Sequence, residues 1–188
     1  MISSIGCLIL AAGESKRMGR PKQLIIWDNK TLIEHTFQIA SQAGFEDIKI
    51  VLGAFSEKIF PIVKDFKADI LVNPMWENGM GSSLCKGLER FENRWGIMIL
   101  LIDQPLIRAE YLIEMAETFI ARKPLAVASS YKGNPGPPAI FNNALVSKIL
   151  KIADNNGAQK ILKRYLDQII LMPESSDLKD FDFPEDFD

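Results

Sequence analysis

Short apolar runs alternate along this chain with segments whose apolar positions recur every three or four residues. The runs indicate buried strands, and the longer segments indicate amphipathic helices. We predict strands at residues 5–10, 47–52, 69–72, 97–102, 125–130 and 169–172, and helices at residues 31–43, 56–64, 108–120, 143–153 and 157–165, with a further helix beginning near residue 83. Such alternation is typical of a parallel sheet covered by helices on both faces. The pattern therefore predicts a three-layer α/β fold with a mainly parallel, Rossmann-like sheet of about seven strands.

The first strand leads into a loop that combines small residues with cations. The small residues Ala11, Ala12 and Gly13 let a ligand approach the backbone, and exposed N–H groups beside cations suit a phosphate. Arg17 offers a planar fork and Lys22 a point charge, so the two side chains could hold different oxygens of one triphosphate. The alternative is a solvated surface loop without a function, which most charge runs are.

This loop differs from the two commoner phosphate loops. Residues 13–19 lack the Lys-Ser/Thr ending of a P-loop, because Arg20 and Pro21 follow, and the chain contains no G-x-G-x-x-G motif. If the loop binds phosphate, it does so as a third type.

A carboxylate, Asp103, follows the most apolar run in the chain. The carboxyl ends of parallel strands are where α/β proteins bind ligands. Mg²⁺ is commonly held by one or two carboxylates together with substrate phosphates, so Asp103 is the best candidate for a metal ligand. The alternative role is capping of the helix that follows, which is frequent for aspartates at strand ends.

Two connecting segments are rich in turn residues. Residues 73–83 lead into a helix on which Leu84, Leu88 and Phe91 share a face, and the small residues at its start could accept a ligand oxygen or a ribose. Ser82 could instead only cap that helix. Residues 131–141, YKGNPGPPAIF, predict a connection of about eleven residues, which is either functional or a rigid turn without a function.

Composition argues against several other classes of protein. A net charge of −2 gives no global field for nucleic acid, and every apolar run is shorter than the roughly 18 residues of a membrane span. Cys7 and Cys85 are expected to be buried thiols rather than a disulfide or a metal site. The lone His35 gives little support to a Ser-His-Asp system. We expect a cytoplasmic protein with one domain, residues 1–188, that interacts with neither nucleic acid nor membrane.

Residues 10–22 read L-A-A-G-x3-R-M-G-x-P-K, which resembles the motif of the nucleotidyltransferases related to the molybdenum-cofactor cytidylyl- and guanylyltransferases. The resemblance extends over nearly the whole chain, residues 5–187. It implies a fold of the nucleotide-diphospho-sugar transferase type and transfer of a nucleotide to a phosphate acceptor, with release of pyrophosphate. It further implies a catalytic role for Arg17 and Lys22, Mg²⁺ on Asp103, and a nucleotide site formed by Leu10, Ala11, Ala12, Gly13, Gly81, Ser82 and Ser83.

The acidic tail, residues 177–188, resembles the D-x-D-T-P-E-D ending of this family, with Phe183 where threonine is usual. That ending contributes a second carboxylate near the metal, and the matching residue is Asp182, with Asp180 as a close competitor. Acidic tails are usually disordered, but Phe181, Phe183 and Phe187 predict that this one docks.

The resemblance also indicates the substrates. Ala12 resembles the cytidylyl branch, whereas the guanylyl branch tends to have glycine there, and residues 131–141 resemble an acceptor loop of the molybdenum branch. We therefore expect CTP and a molybdopterin-type acceptor, with a molybdoenzyme or its chaperone as a possible receiver. The alternatives are a transferase that uses GTP or another triphosphate on a different acceptor, and a non-catalytic chaperone that binds a nucleotide-bearing cofactor and needs no metal carboxylate.

Overall fold

The computed structural model describes residues 2–152 and 158–187. Its strands are β1 (Ile5–Ala11), β2 (Ile26–Trp27), β3 (Lys30–Thr31), β4 (Ile48–Leu52), β5 (Asp69–Val72), β6 (Gly96–Leu101), β7 (Ala126–Tyr131), β8 (Asn134–Asn142) and β9 (Ile169–Leu171). Its α-helices are α1 (Leu32–Gln42), α2 (Ser56–Val63), α3 (Met80–Leu88), α4 (Ala109–Arg122), α5 (Asn143–Ile152) and α6 (Gln159–Arg164).

Seven of these strands form one sheet in the order β5-β4-β1-β6-β8-β7-β9, while β2 and β3 pair separately. β1 lies between β4 and β6 and is parallel to both, whereas β8 is antiparallel to its neighbours β6 and β7. The predicted three-layer fold with a mainly parallel sheet is therefore confirmed. All six predicted strands are present, with ends that differ by one residue at most.

The sheet is covered on both faces, which explains why its central strands are apolar without alternation. Successive side chains of β1 enter two separate cores: Ile9 packs with residues of α1, α2 and α4, and Leu8 packs with residues of α3, α5 and α6. A strand buried on both faces needs apolar residues at every position. All seven residues of β1 are accordingly buried.

β8 was not predicted as a strand, because its residues fall in the segment interpreted as a Gly/Pro-rich connection. The apolar run 139–141 pairs with both β6 and β7. Pro137 and Pro138 lie at a register shift, since Ala128 pairs with Ala139 while Ser129 pairs with Gly136. Prolines are tolerated at such irregularities because no ladder hydrogen bond is needed from them. Tertiary pairing therefore overrides the turn-like composition.

Helix boundaries show a second difference, at the start of α3. The helix begins at Met80 with Gly79 as its N-cap, so Gly81, Ser82 and Ser83 lie in the first turn of the helix. Ser82 is therefore not the capping residue, and Phe91 lies beyond the helix end.

Asp103 does not cap the following helix either, since the N-cap of α4 is Arg108.

Three ends of predicted segments, at Ala153, Gly157 and Asp188, fall outside the described residues.

Thr31 caps α1 through a capping box, in which its hydroxyl accepts from the Glu34 N–H and the Glu34 carboxylate accepts from the Thr31 N–H.

Over residues 2–152 and 158–187, none of the helices combines the length and the apolar character needed to cross a membrane.

Candidate active site

A cleft of about 940 Å³ lies at the carboxyl ends of β1 and β6. One wall is the loop after β1, a second is the start of α3, and the floor includes the residues that follow β6. The predicted site residues that line this cleft are Leu10, Ala11, Ala12, Gly13, Arg17, Lys22, Ser83, Asp103 and Asp182. Gly81 and Ser82 are not among the lining residues.

Ser82 is engaged with its own loop instead. Its hydroxyl lies 2.9 Å from the carbonyl oxygens of both Met75 and Gly79. The Nδ2 of Asn73 donates to the Ser82 and Ser83 hydroxyls at 3.0 Å each. The buried Asn73 thereby fixes the start of α3 against the end of β5. Sequence reasoning missed Asn73, although an amide directly after a strand at the ligand-binding edge is a usable signal.

Lys22 joins the two predicted metal carboxylates. Its Nζ lies 3.2 Å from Asp103 Oδ2 and 2.9 Å from Asp182 Oδ1, and only 8% of its side chain is exposed. Arg17 Nη1 lies 2.7 Å from the other oxygen of Asp182. The hydrogen bond from Lys22 is the main cause of a lowered pKa at Asp182. The predicted catalytic cations and metal carboxylates thus form one ion cluster inside the cleft.

Asp180 lies beside this cluster but faces a different partner. Its Oδ1 accepts from Gln104 Nε2 at 2.8 Å, and it is not among the residues that line the cleft. Burial, with the nearby charges of Asp103 and Asp182, raises the pKa of Asp180. The sequence offered Asp182 and Asp180 as candidates for the second metal ligand. The fold brings Asp182 to the cleft.

Gln104 was also missed from the sequence. Its Nε2 lies within hydrogen-bond distance of the Tyr131 hydroxyl (2.6 Å) and the Pro137 carbonyl oxygen (3.2 Å) as well as Asp180. Gln104 therefore connects the end of β6, the β7–β8 hairpin and the tail. Its position next to Asp103 was the only signal for it in the sequence.

Gln23 holds the loop after β1 in place. This fully buried side chain donates through Nε2 to the carbonyl oxygens of Ala11 (2.8 Å) and Gly13 (3.0 Å). The neighbouring Lys22 N–H donates to Ser15 Oγ at 3.2 Å. These bonds fix the backbone that presents Lys22 relative to the small-residue loop. Nothing in the local sequence pattern pointed to Gln23.

The tail reaches the cluster because it docks, as its phenylalanines predicted. The Phe181 N–H donates to the Asp103 carbonyl oxygen at 2.7 Å, and the Phe181 ring packs edge-to-face on Trp27 at 5.2 Å and on Phe187 at 5.0 Å. Phe183 differs, since it is 44% exposed and lies under the Arg17 guanidinium, 5.5 Å from ring centroid to Cζ.

The carboxylates suit a divalent ion only in combination with other oxygens. Asp103 Oδ1 is buried and has no hydrogen-bond partner, so one acceptor of the cluster is unsatisfied. Within the part of the chain that the structure describes, no group of three or more His, Cys, Asp or Glu side chains could hold a metal by itself. Two carboxylates plus phosphate oxygens and water is, however, a common environment for Mg²⁺. The residues therefore fit an ion that arrives with a phosphorylated ligand.

Comparisons with known proteins identify the chains to which this one is similar. A family model described as the MobA-like NTP transferase domain matches residues 7–169. The chain is 35% identical to nicotine blue oxidoreductase of Paenarthrobacter nicotinovorans over 99 residues, which are 52% of this chain and 48% of that protein. It is 23% identical to a probable molybdenum cofactor guanylyltransferase of Bacillus cytotoxicus over 172 residues, 90% of this chain and 81% of that one. The chain thus spans about half the length of the first of these relatives.

Solved structures show the same fold. Rv0371c from Mycobacterium tuberculosis matches with a TM-score of 0.85 and 24% identity, covering 97% of this chain and 95% of that one. A structure described as its complex with manganese matches with a TM-score of 0.75 and 22% identity, covering 89% and 86%.

We expect Phe181→Ala to release the tail. Truncating a buried aromatic side chain typically lowers the free energy of unfolding by about 3–5 kcal/mol. Here it removes the contact of Phe181 with Trp27 and with Phe187, and leaves only the longer Trp27–Phe187 contact of 6.2 Å between the aromatic rings of the tail and Trp27. Amide hydrogen exchange of residues 177–187 should become much faster in the variant. Phe183→Ala is the matched control from the same tail, and it should leave exchange at Phe181 nearly unchanged. Equal protection of the tail in wild type and Phe181→Ala would contradict the docking role.

Proposed function

Because the chain belongs to the family of MobA-like NTP transferase domains, we propose that it is a nucleotidyltransferase whose triphosphate binds in the cleft after β1. In the proposed reaction a phosphate oxygen of the acceptor attacks the α-phosphorus of the triphosphate. The bond from that phosphorus to the bridging oxygen breaks, and pyrophosphate leaves with the electron pair. The observation that supports this most is the convergence of Arg17, Lys22, Asp103 and Asp182 beside the small-residue loop.

Such a reaction depends on alignment and charge rather than on proton transfer. An acceptor phosphate is already ionised near neutral pH, so no general base is needed. What the site must supply is a fixed arrangement of the two reactants and cations for the charge that develops on the leaving pyrophosphate. Arg17 and Lys22 are cations at the cleft wall, and Gln23 holds the loop against which the phosphates would lie.

We propose that Asp103 and Asp182 are the residues that hold Mg²⁺. Both contact the same ammonium group, and Asp103 also has an oxygen without a partner. The manganese complex of the structural relative Rv0371c is consistent with a divalent ion in this fold. When bound, the ion would neutralise charge on the phosphate oxygens of the triphosphate.

We propose CTP as the preferred triphosphate. Ala12 lines the cleft, and alanine at this position resembles the cytidylyl branch, whereas the guanylyl branch tends to have glycine there. GTP is the competing substrate, because relatives of this chain are named guanylyltransferases.

For the acceptor we propose a molybdopterin-type phosphate, on the basis of the molybdenum-cofactor relatives and the β8 segment that resembles their acceptor loop. The product would then pass to a molybdoenzyme or to its chaperone. The non-catalytic chaperone is less well supported, because binding alone does not require Asp103, Arg17 and Lys22 in one cleft.

The direct test is pyrophosphate release from CTP, GTP, UTP and ATP, each with a molybdopterin acceptor and with or without Mg²⁺. Magnesium-dependent release with covalent modification of the acceptor would support the proposal. Binding of nucleotide without release from any of the four would favour the chaperone.

Lys22→Ala should lower turnover about a hundredfold, since losing one contact to developing charge in a desolvated site costs roughly 3 kcal/mol of barrier. Lys49→Ala is the matched control. Lys49 is also 8% exposed and also lies between two carboxylates, at 3.0 Å from Asp47 and 2.6 Å from Asp69, but away from the cleft. We expect the control to lose stability and keep its turnover. Wild-type turnover in a folded Lys22→Ala protein would refute the assignment of Lys22.

Ala12→Gly should shift the preference from CTP towards GTP. One methyl group in a binding pocket is typically worth about 1–3 kcal/mol of discrimination, or roughly 10- to 200-fold. Calorimetric titration of wild type and variant with each triphosphate and Mg²⁺ measures the shift. Tighter binding of GTP than of CTP by the wild-type chain would assign it to the guanylyl branch instead.

Asp103→Asn and Asp182→Asn should both raise the Mg²⁺ concentration needed for activity. The effect of Asp103→Asn should be larger, because Asp103 follows a rigid core strand, whereas water can replace the tail ligand. The double variant should be less impaired than the product of the two single effects, since groups acting on one ion work as a unit. A magnesium titration of pyrophosphate release measures this. If Asp180→Asn alone shifts the titration, the second ligand has been misassigned.

A further inference from the structure

The Lys22 ammonium lies between the two carboxylates that we assign to the metal. Its Nζ is 3.2 Å from Asp103 Oδ2 and 2.9 Å from Asp182 Oδ1. We propose that Lys22 is a built-in competitor of the divalent ion, so that the ion binds these carboxylates well only when a triphosphate draws Lys22 away. This inference rests on the metal site of the proposed function and adds a coupling between metal and nucleotide.

The competition follows from charge and space. A metal ion held by both carboxylates would lie about 2.0–2.1 Å from an oxygen of each, close to the present position of the ammonium. Lys22 and the ion are both cations, and their repulsion at such separation is strong in a cleft where the lysine side chain is almost fully buried. An ion that bridges the two carboxylates through Asp103 Oδ2 and Asp182 Oδ1 therefore excludes Lys22 from them.

Lys22 needs a comparable anionic partner in order to leave. A buried ammonium that loses its carboxylates without replacement pays a large desolvation penalty. Phosphate oxygens supply that replacement, and the flexible four-carbon stem of a lysine allows the ammonium to move while its backbone stays tied to Ser15. The same side chain that excludes the ion is therefore expected to bind the phosphates that accompany it.

Arg17 is less suited to this competition. It contacts Asp182 at 2.7 Å, but 63% of its side chain is exposed, and its guanidinium rests on Phe183 outside the space between the two carboxylates. Lys22 bonds to both carboxylates and is nearly buried. The blocking effect should therefore depend on Lys22 and not on the total positive charge of the loop.

Competition between Lys22 and the ion affects the affinity for the ion through thermodynamic linkage. If the ion and Lys22 exclude each other, removing the ammonium increases the affinity for the ion in the absence of nucleotide. Couplings between sites typically change affinity by about 5- to 150-fold. The wild-type chain should then bind free metal weakly, even though the carboxylates are already brought together by the fold.

The test is titration of the nucleotide-free protein with Mn²⁺, measured by calorimetry and by the electron paramagnetic resonance signal of the unbound ion. We expect Lys22→Met to bind Mn²⁺ roughly tenfold or more tightly than wild type, within the usual range of such couplings. Mn²⁺ should also raise the melting temperature of Lys22→Met more than that of wild type, because a ligand stabilises the state it binds.

Lys16→Met is the matched control for charge. It removes one cation from the same loop, but Lys16 is 82% exposed and pairs with Glu14 at 3.2 Å. Its Mn²⁺ affinity should stay within about twofold of wild type, as expected for a screened surface charge. Lys22→Arg keeps the charge and should bind Mn²⁺ as weakly as wild type. Adding Asp182→Asn to Lys22→Met should abolish the increase in Mn²⁺ affinity. That result would show that the ion binds at Asp182.

Equal Mn²⁺ affinity in wild type and folded Lys22→Met would overturn the inference. So would an equal increase in Mn²⁺ affinity in Lys16→Met, or an increase in Lys22→Met that remains after Asp182→Asn is added. If Lys22→Met does not fold, Lys22→Gln serves the same comparison. An active, magnesium-dependent wild type with no gain in Lys22→Met would refute this inference alone. Absence of transfer from every triphosphate, with the gain present, would refute the proposed function alone.

Discussion

The structure depends on one buried lysine being neutralised by carboxylates from two distant parts of the chain. Lys22 is separated by 81 residues from Asp103 and by 160 residues from Asp182, and it bonds to both. A lysine this deeply buried requires such pairing, because an unpaired buried charge is strongly destabilising. The pair of contacts therefore ties the first loop to the end of β6 and to the tail. The same contacts lie inside the cleft.

Other contacts serve mainly to keep that cluster in place. Gln23 holds the loop after β1, Asn73 holds the start of α3, and Phe181 anchors the tail to the backbone of Asp103. Each joins the carboxyl edge of the sheet to a neighbouring segment: a loop, the start of a helix or the tail. Side chains in such positions act through the residues they orient, and a site supported in this way is held with less freedom than loops alone would allow.

The chain is similar to relatives whose names differ. The cleft next to β1 is lined by the small-residue loop and the ion cluster, together with apolar side chains such as Trp76 and Met80. Of the residues that we propose to select the base and the acceptor, Ala12 lines this cleft, and the β7–β8 hairpin is linked to the end of β6 through Gln104. The fold is shared among these proteins, and a shared fold does not by itself fix the substrate. One is named a probable molybdenum cofactor guanylyltransferase and another an oxidoreductase.

Much of this architecture is determined by local sequence. The six predicted strands are present, because strands buried on both faces need unbroken apolar runs that are visible one segment at a time. The small-residue loop with Arg17 and Lys22 is contiguous, and Asp103 lies two residues after the core strand β6, so their places at the carboxyl edge of the sheet follow from the order of residues.

Other features of the fold and of the site were decided only by the tertiary structure. β8 forms despite its prolines because two neighbouring strands pair with residues 139–141, and pairing partners cannot be read from the segment itself. Asp182, rather than Asp180, reaches the cleft because Phe181 is buried between them and turns the two carboxylates towards different partners. Gln23 and Gln104 have roles that depend on carbonyl and carboxylate groups brought near by folding. Contacts over such separations in sequence exist only once the chain has packed.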